Sequence, residues 1–150
     1  MAGILSQTWT VSLPLYPKAG PIGVELRNDH WLQPKYFDCL ARHGVTHVFN
    51  SWQAMPSVND QMAFAGSRTN PALTAARFLL KPGRKYEVAV KAFATYSFFK
   101  EKNDIARAAG SKLIIEGRAA GKKKTFIYVN NRLEGNALET IAAMLDAAAS

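Results

Sequence analysis

Two groups of polar residues could act together on a ligand. In the run Val24-Glu25-Leu26-Arg27-Asn28-Asp29-His30-Trp31, a carboxylate and a guanidinium occupy alternate positions of an otherwise strand-like segment. Side chains two apart on a strand share a face, so Glu25 and Arg27 point one way and Val24 and Leu26 the other. Charges are uncommon in strand interiors, and this pair followed directly by Asn28, Asp29 and His30 marks a strand that opens into a polar site. A carboxylate there either moves a proton or pairs with the arginine and fixes the strand, and the arginine can hold an anionic substrate. Residue types alone leave both roles open. Arg77 is a third inward-facing candidate, because it shares a strand face with small Ala75 and with Leu79, which leaves room for a ligand or for Glu25.

The second group is Asn130-Asn131-Arg132-Leu133-Glu134-Gly135-Asn136, between a strand and a helix. Backbone amides at a helix start are unpaired donors, so a phosphate or similar anion could sit there beside Arg132. The competing reading is a turn made by Gly135 and a cap made by Asn136. Trp31 and Trp52 each follow a strand end and could stack on a ring or pack against the core. His43 and His47 lie four apart, but Gly44 ends a helix between them, so no metal site is expected. The Lys122-Lys123-Lys124 run, with Arg118, precedes a strand and reads as a solvated turn on the face opposite the site. There is no Gly-rich phosphate loop, nucleophile elbow or paired-cysteine motif, and the residues name no cofactor.

These residues depend on a succession of βα units. The pattern predicts strands over 22–26, 45–49, 73–80 and 125–130. Helices are expected from Pro34 to Gly44, around 60–65, over 86–93, from a cap at Asn103 to about Ala120, and from a cap at Asn136 to about Ala148. Phe37, Leu40 and Ala41 form the expected apolar stripe of the first helix. Ile105, Ala109, Leu113 and Ile114 do so for the long one, and Leu138, Ile141, Ala142 and Leu145 for the last. Residues 1–21 read as a leader or an extra edge strand, and 22–150 as the domain. In parallel α/β folds ligands bind at the carboxyl ends of the strands, where both polar groups fall.

The composition sets limits. A chain of 150 residues with 48% hydrophobic content can bury a core as one domain. Nineteen Lys and Arg against eleven Asp and Glu give +8, which favours anionic partners. The single cysteine, Cys39, cannot form an internal disulfide, which fits a reducing, cytoplasmic setting. No basic stretch followed by an apolar core opens the chain, and no apolar run reaches the roughly 18 residues of a membrane helix.

Three segments resemble the later part of the domain-of-unknown-function 72 family, also called YecE-like. They are Glu25-Leu26-Arg27 with Trp31, Ala76-Arg77-Phe78-Leu79-Leu80-Lys81-Pro82-Gly83-Arg84-Lys85-Tyr86, and Phe126-Ile127-Tyr128-Val129-Asn130-Asn131-Arg132-Leu133-Glu134-Gly135-Asn136-Ala137. The resemblance runs over about 22–148. It implies a TIM-type barrel of bacterial and archaeal proteins with no established activity, and places Glu25, Arg27, Trp31, Arg77, Asn130 and Asn131 at signature positions near one barrel end. Many members carry a histidine shortly after the third-segment arginine, where this chain has Phe78, Leu79 and Leu80. A closed eight-stranded barrel needs about 250 residues, so four βα units correspond to a C-terminal half-barrel.

The reading that follows is a half-barrel binding a phosphate-bearing or other anionic ligand, with hydrolysis as the reaction to test. Glu25 is the acid or base, Arg27 and Arg77 are the anion clamps, and Asn130 and Asn131 orient the ligand beside Arg132 and Trp31. The alternatives are a non-catalytic module for anions or nucleic acid, and a truncated product without independent function. The expected partner is a second copy or a missing N-terminal half.

Overall fold

The structure is a computed structural model that describes residues 20–121 and 123–150. The expectation of a leader or edge strand therefore falls almost wholly outside the described residues, as does Lys122. Four strands form one parallel sheet in sequence order: β1 (Gly23–Val24), β2 (Thr46–Ser51), β3 (Leu73–Phe78) and β4 (Lys124–Val129). The helices are α1 (Pro34–Arg42), α2 (Val58–Ala63), α3 (Tyr86–Phe93), α4 (Asp104–Ala119) and α5 (Ala137–Ala147), with a 3-10 turn at Asp29–Trp31. The sheet is open, as four βα units require.

The local signals account for the boundaries. Pro34 opens α1, where a missing N–H costs nothing, and Gly44 ends the connection at φ +65°. Ser57, Asn103 and Asn136 each cap a helix by accepting from backbone amides in its first turn. β1 is shorter than expected, because only Gly23 and Val24 pair with β2 before the chain turns away to build the site.

Register separates the two faces of the sheet. Phe49 pairs with Ala76 and that with Ile127, while Ser51, Phe78 and Val129 form the next layer. This face is covered by helices, and Phe49, Ala76, Phe78, Leu113 and Met144 make the main core. Val48, Ala75 and Phe126, then Asn50, Arg77 and Tyr128, lie on the other face. That face is poorly covered: Phe126 is 45% and Tyr128 59% exposed.

Three apolar stripes differ from expectation. In α1 the buried residues are Phe37, Cys39 and Leu40, and Ala41 is exposed. In α4 the buried side is Ala106, Ala109, Gly110, Ser111 and Leu113, leaving Ile105 outside. In α5 the buried residues are Thr140 and Met144, and Leu138 and Leu145 are exposed. The cause in α5 is its seating. Met144 lies close over Gly110, and Ser111 Oγ donates to Met144 O at 2.9 Å, so the helix leans on α4 and turns its expected core stripe outward.

Candidate functional site

Glu25 leaves β1 on the open face and meets two arginines. Arg27 Nε stands 3.3 Å from Glu25 Oε1, and Arg77, from β3, donates to Glu25 Oε2. Val24 and Leu26 point the other way, into clusters beneath α1, which is the alternation that two-residue periodicity requires. The carboxylate is largely buried, and Oε1 accepts no aligned hydrogen bond.

Beyond this pair the strand ends enclose a cleft of about 190 Å³, lined by Arg27, Trp52, Arg77, Leu79, Tyr86 and Arg132 together with Leu80 and Asn130. Aromatic rings fix two of its cations. The Arg27 guanidinium lies 4.3 Å from the Trp52 ring centre, and that of Arg132 4.7 Å from Tyr86. Asn130 Oδ1 accepts from the Arg132 backbone N–H at 3.0 Å and from Nη1 at 3.3 Å, holding the loop and its side chain together. Arg132 Nε is shielded from solvent without an acceptor, and no carboxylate pairs with Arg132 among the described residues. Three guanidiniums thus converge with one carboxylate, which leaves the cleft strongly positive. Guanidinium forks match the oxygens of phosphate or carboxylate.

Not every expected residue reaches this cleft. Glu25 is absent from its lining and acts on it through Arg27 and Arg77. Trp31 sits in the 3-10 turn and is not in the lining either, whereas Trp52 is. Asn131 Oδ1 accepts from Ala137 N at 2.8 Å, so it serves the start of α5. Asn136 Oδ1 takes the Leu138 and Glu139 amides at 2.9 and 3.3 Å. The first-turn donors proposed for an anion at this helix are therefore already in use, and Arg132 faces the cleft instead.

Two buried groups were not anticipated. Glu134, fully buried, accepts from Arg107 Nε at 3.0 Å and Nη2 at 2.9 Å, from Thr140 Oγ1 at 2.8 Å, and from Asn103 N. It joins α4, α5 and the loop that carries Arg132. Its neighbour Gly135 has φ +113°, and a Cβ there would lie 2.8 Å from Phe98 O. His47 is the other: it packs edge-on against Phe37 and Phe49 and shares a 3.0 Å contact between Nδ1 and Tyr36 Oη. Burial lowers its pKa to about 4, so it is a neutral core residue, while His43 caps α1 elsewhere. Burial likewise raises the Tyr36 phenol. At the edge of the site Glu101 receives Arg84 at 2.6 Å and Lys81 at 3.2 Å, and the Arg84 hydrogen bonds above all hold its carboxyl below the usual range.

The class is that of βα-repeat proteins, with helices on one face of a partial parallel sheet and a cationic cleft at the strand ends. The family model described as "Protein of unknown function DUF72" matches residues 7–150, and the chain belongs to that family. Solved relatives agree on the fold. A DUF72 family protein of Enterococcus faecalis is 22% identical with a TM-score of 0.59, over 89% of this chain and 49% of that one. One of Thermotoga maritima is 18% identical with a TM-score of 0.59, over 93% and 49%. The chain thus spans about half the length of these structures. No curated protein matches it. Among the described residues no helix is long and apolar enough to cross a membrane.

Proposed function

We propose that this chain is one half of a TIM-type barrel that binds a phosphate-bearing or similar anionic ligand at the carboxyl ends of its strands. The observation that carries the reading is Arg132: a cation seated on Tyr86, with no carboxylate partner among the described residues, opening into the same cleft as Arg27 and Arg77. Glu25 orients Arg27 and Arg77 by bridging them, Asn130 holds Arg132, and the Trp52 and Tyr86 rings limit the travel of two guanidiniums. The site works with a second half-barrel, either another copy or the other half of a longer protein.

A hydrolytic step is the second reading: Glu25 is the carboxylate held against two arginines that line the cleft, and a carboxylate in that place can serve as the base for an attacking water. Glu25→Gln then abolishes turnover of a phosphate ester and leaves folding intact; unchanged turnover removes this role.

Calorimetric titration with inorganic phosphate and pyrophosphate tests the binding itself. Arg132→Ala removes a charge-assisted contact of about 1.5–3 kcal/mol, so the dissociation constant should rise at least about tenfold. Equal affinity in that variant refutes the site. A compact pocket that holds one or two phosphates loses little affinity with salt, whereas a steep loss identifies a polyanion such as nucleic acid as the ligand.

A further inference from the structure

Both ends of the sheet are incomplete in complementary ways. At one end α5 follows β4 and leans on α4, leaving an apolar groove of about 410 Å³ between α4, β4 and α5. Ile114, Ile127, Ile141, Met144 and Leu145 line it, and Leu138 continues the stripe at 77% exposure. This helix packs on β4 along one side only, and among the described residues no strand lies beneath its other side. At the other end β1 is a strand with incomplete cover: Ile22 and Val24 pack towards α1 yet stay half-buried. Neither edge has a further strand among the described residues.

We infer that a second copy of this chain fills both gaps, its β1 adding in parallel along β4 while its own α5 overhangs β1 of the first. A strand added beside β4 turns alternate side chains to the helix side and the rest to the open face. β1 supplies both sets in the right order. Ile22 and Val24 enter the groove beneath α5, and Gly23 and Glu25 come to the open face beside Phe126 and Tyr128. A twofold axis along the strands makes the two contacts identical, so the assembly closes at two copies and leaves no free edge. This doubling restores the length of the solved relatives, of which one chain covers 49%. It deepens the proposed reading by giving the cleft its missing wall, since the partner's Glu25 and Arg27 would stand across from Tyr128.

Sedimentation velocity over a concentration series in phosphate-free buffer tests this apart from anion binding. The expected mass is twice the 16.5 kDa of one chain, with no larger species. At +8 per chain, added salt should tighten the association by screening repulsion. Leu145→Glu on the helix side and Phe126→Asp on the open face bury a charge in the closed form, and each should raise the dissociation constant at least about tenfold. Both positions are solvent-exposed in one chain, and circular dichroism checks that each variant stays folded. A folded monomer at about 100 μM, a ladder of larger species, or a dimer that neither variant weakens overturns the inference. Phosphate binding by a strict monomer would overturn it while leaving the anion site standing.

Discussion

Replacing Glu134 by alanine tests how the loop that carries Arg132 is held. The carboxylate is fully buried and serves Arg107 through two nitrogens, Thr140 through its hydroxyl and Asn103 through its backbone N–H. Its removal leaves the Arg107 guanidinium, 17% exposed, without its counter-charge and the Asn103 N–H without its acceptor, while the Thr140 hydroxyl keeps Asn136 O at 2.9 Å. Breaking a buried pair in this way costs about 3–5 kcal/mol. Against a total stability of about 5–15 kcal/mol, that is a large share. A chain of this length should lose about 2–4 °C of melting temperature per kcal/mol, hence about 6–20 °C. Urea unfolding measures the loss directly. Arg107→Met in the same background should then cost much less than it does alone, a coupling above about 1 kcal/mol. A loss below about 1 kcal/mol for Glu134→Ala, or additive effects in the double variant, would refute the view that this network fastens α4, α5 and the loop together.

His47 gives a pH dependence. Its pKa is about 4 in the fold against 6.5 in the open chain, so the unfolded state binds the extra proton between these values and stability falls as pH drops through that window. The full loss is about 3 kcal/mol, and His47→Phe should flatten the wild-type slope of stability between pH 6.5 and 4. An unchanged slope would show that other groups dominate. Gly135→Ala should destabilise by about 1–3 kcal/mol, because its φ of +113° suits glycine and the new Cβ would press on Phe98 O. Chemical denaturation that gives the variant wild-type stability would contradict the close crossing of the two loops.

The fold was legible where local chemistry decides it. The caps at Asn103 and Asn136, the stop at Gly44 and the strand–helix alternation depend on neighbours in sequence, and they are where expected. The alternation around Glu25 was legible for the same reason, and it brings Arg27 and Arg77 onto one carboxylate. What was missed depends on long-range packing. Leu138 and Leu145 keep helical spacing, but Met144 docking over Gly110 turned them outward, and no pattern within α5 contains that information. Glu134 stands in a loop with nothing nearby in sequence to mark it, because its partners come from positions 103, 107 and 140. Asn131 looked like a ligand group because an amide that caps a helix and one that holds a substrate have the same residue type.

The sequential order of the strands also sets an order of events in time. Val48 pairs with Ala75 across one short helix, whereas Leu73 pairs with Lys124 only after α3 and the whole of α4 have been traversed. Closing the longer loop costs more chain entropy, so β4 and α5 should join after the first three strands have assembled. Met144→Ala, which removes a buried contact of α5, should therefore speed unfolding and leave the refolding rate almost unchanged. Stopped-flow refolding that slows in proportion to the lost stability would place β4 and α5 in the nucleus instead. In the order inferred from loop closure, the arginine cleft forms last, because Arg132 waits for the final strand.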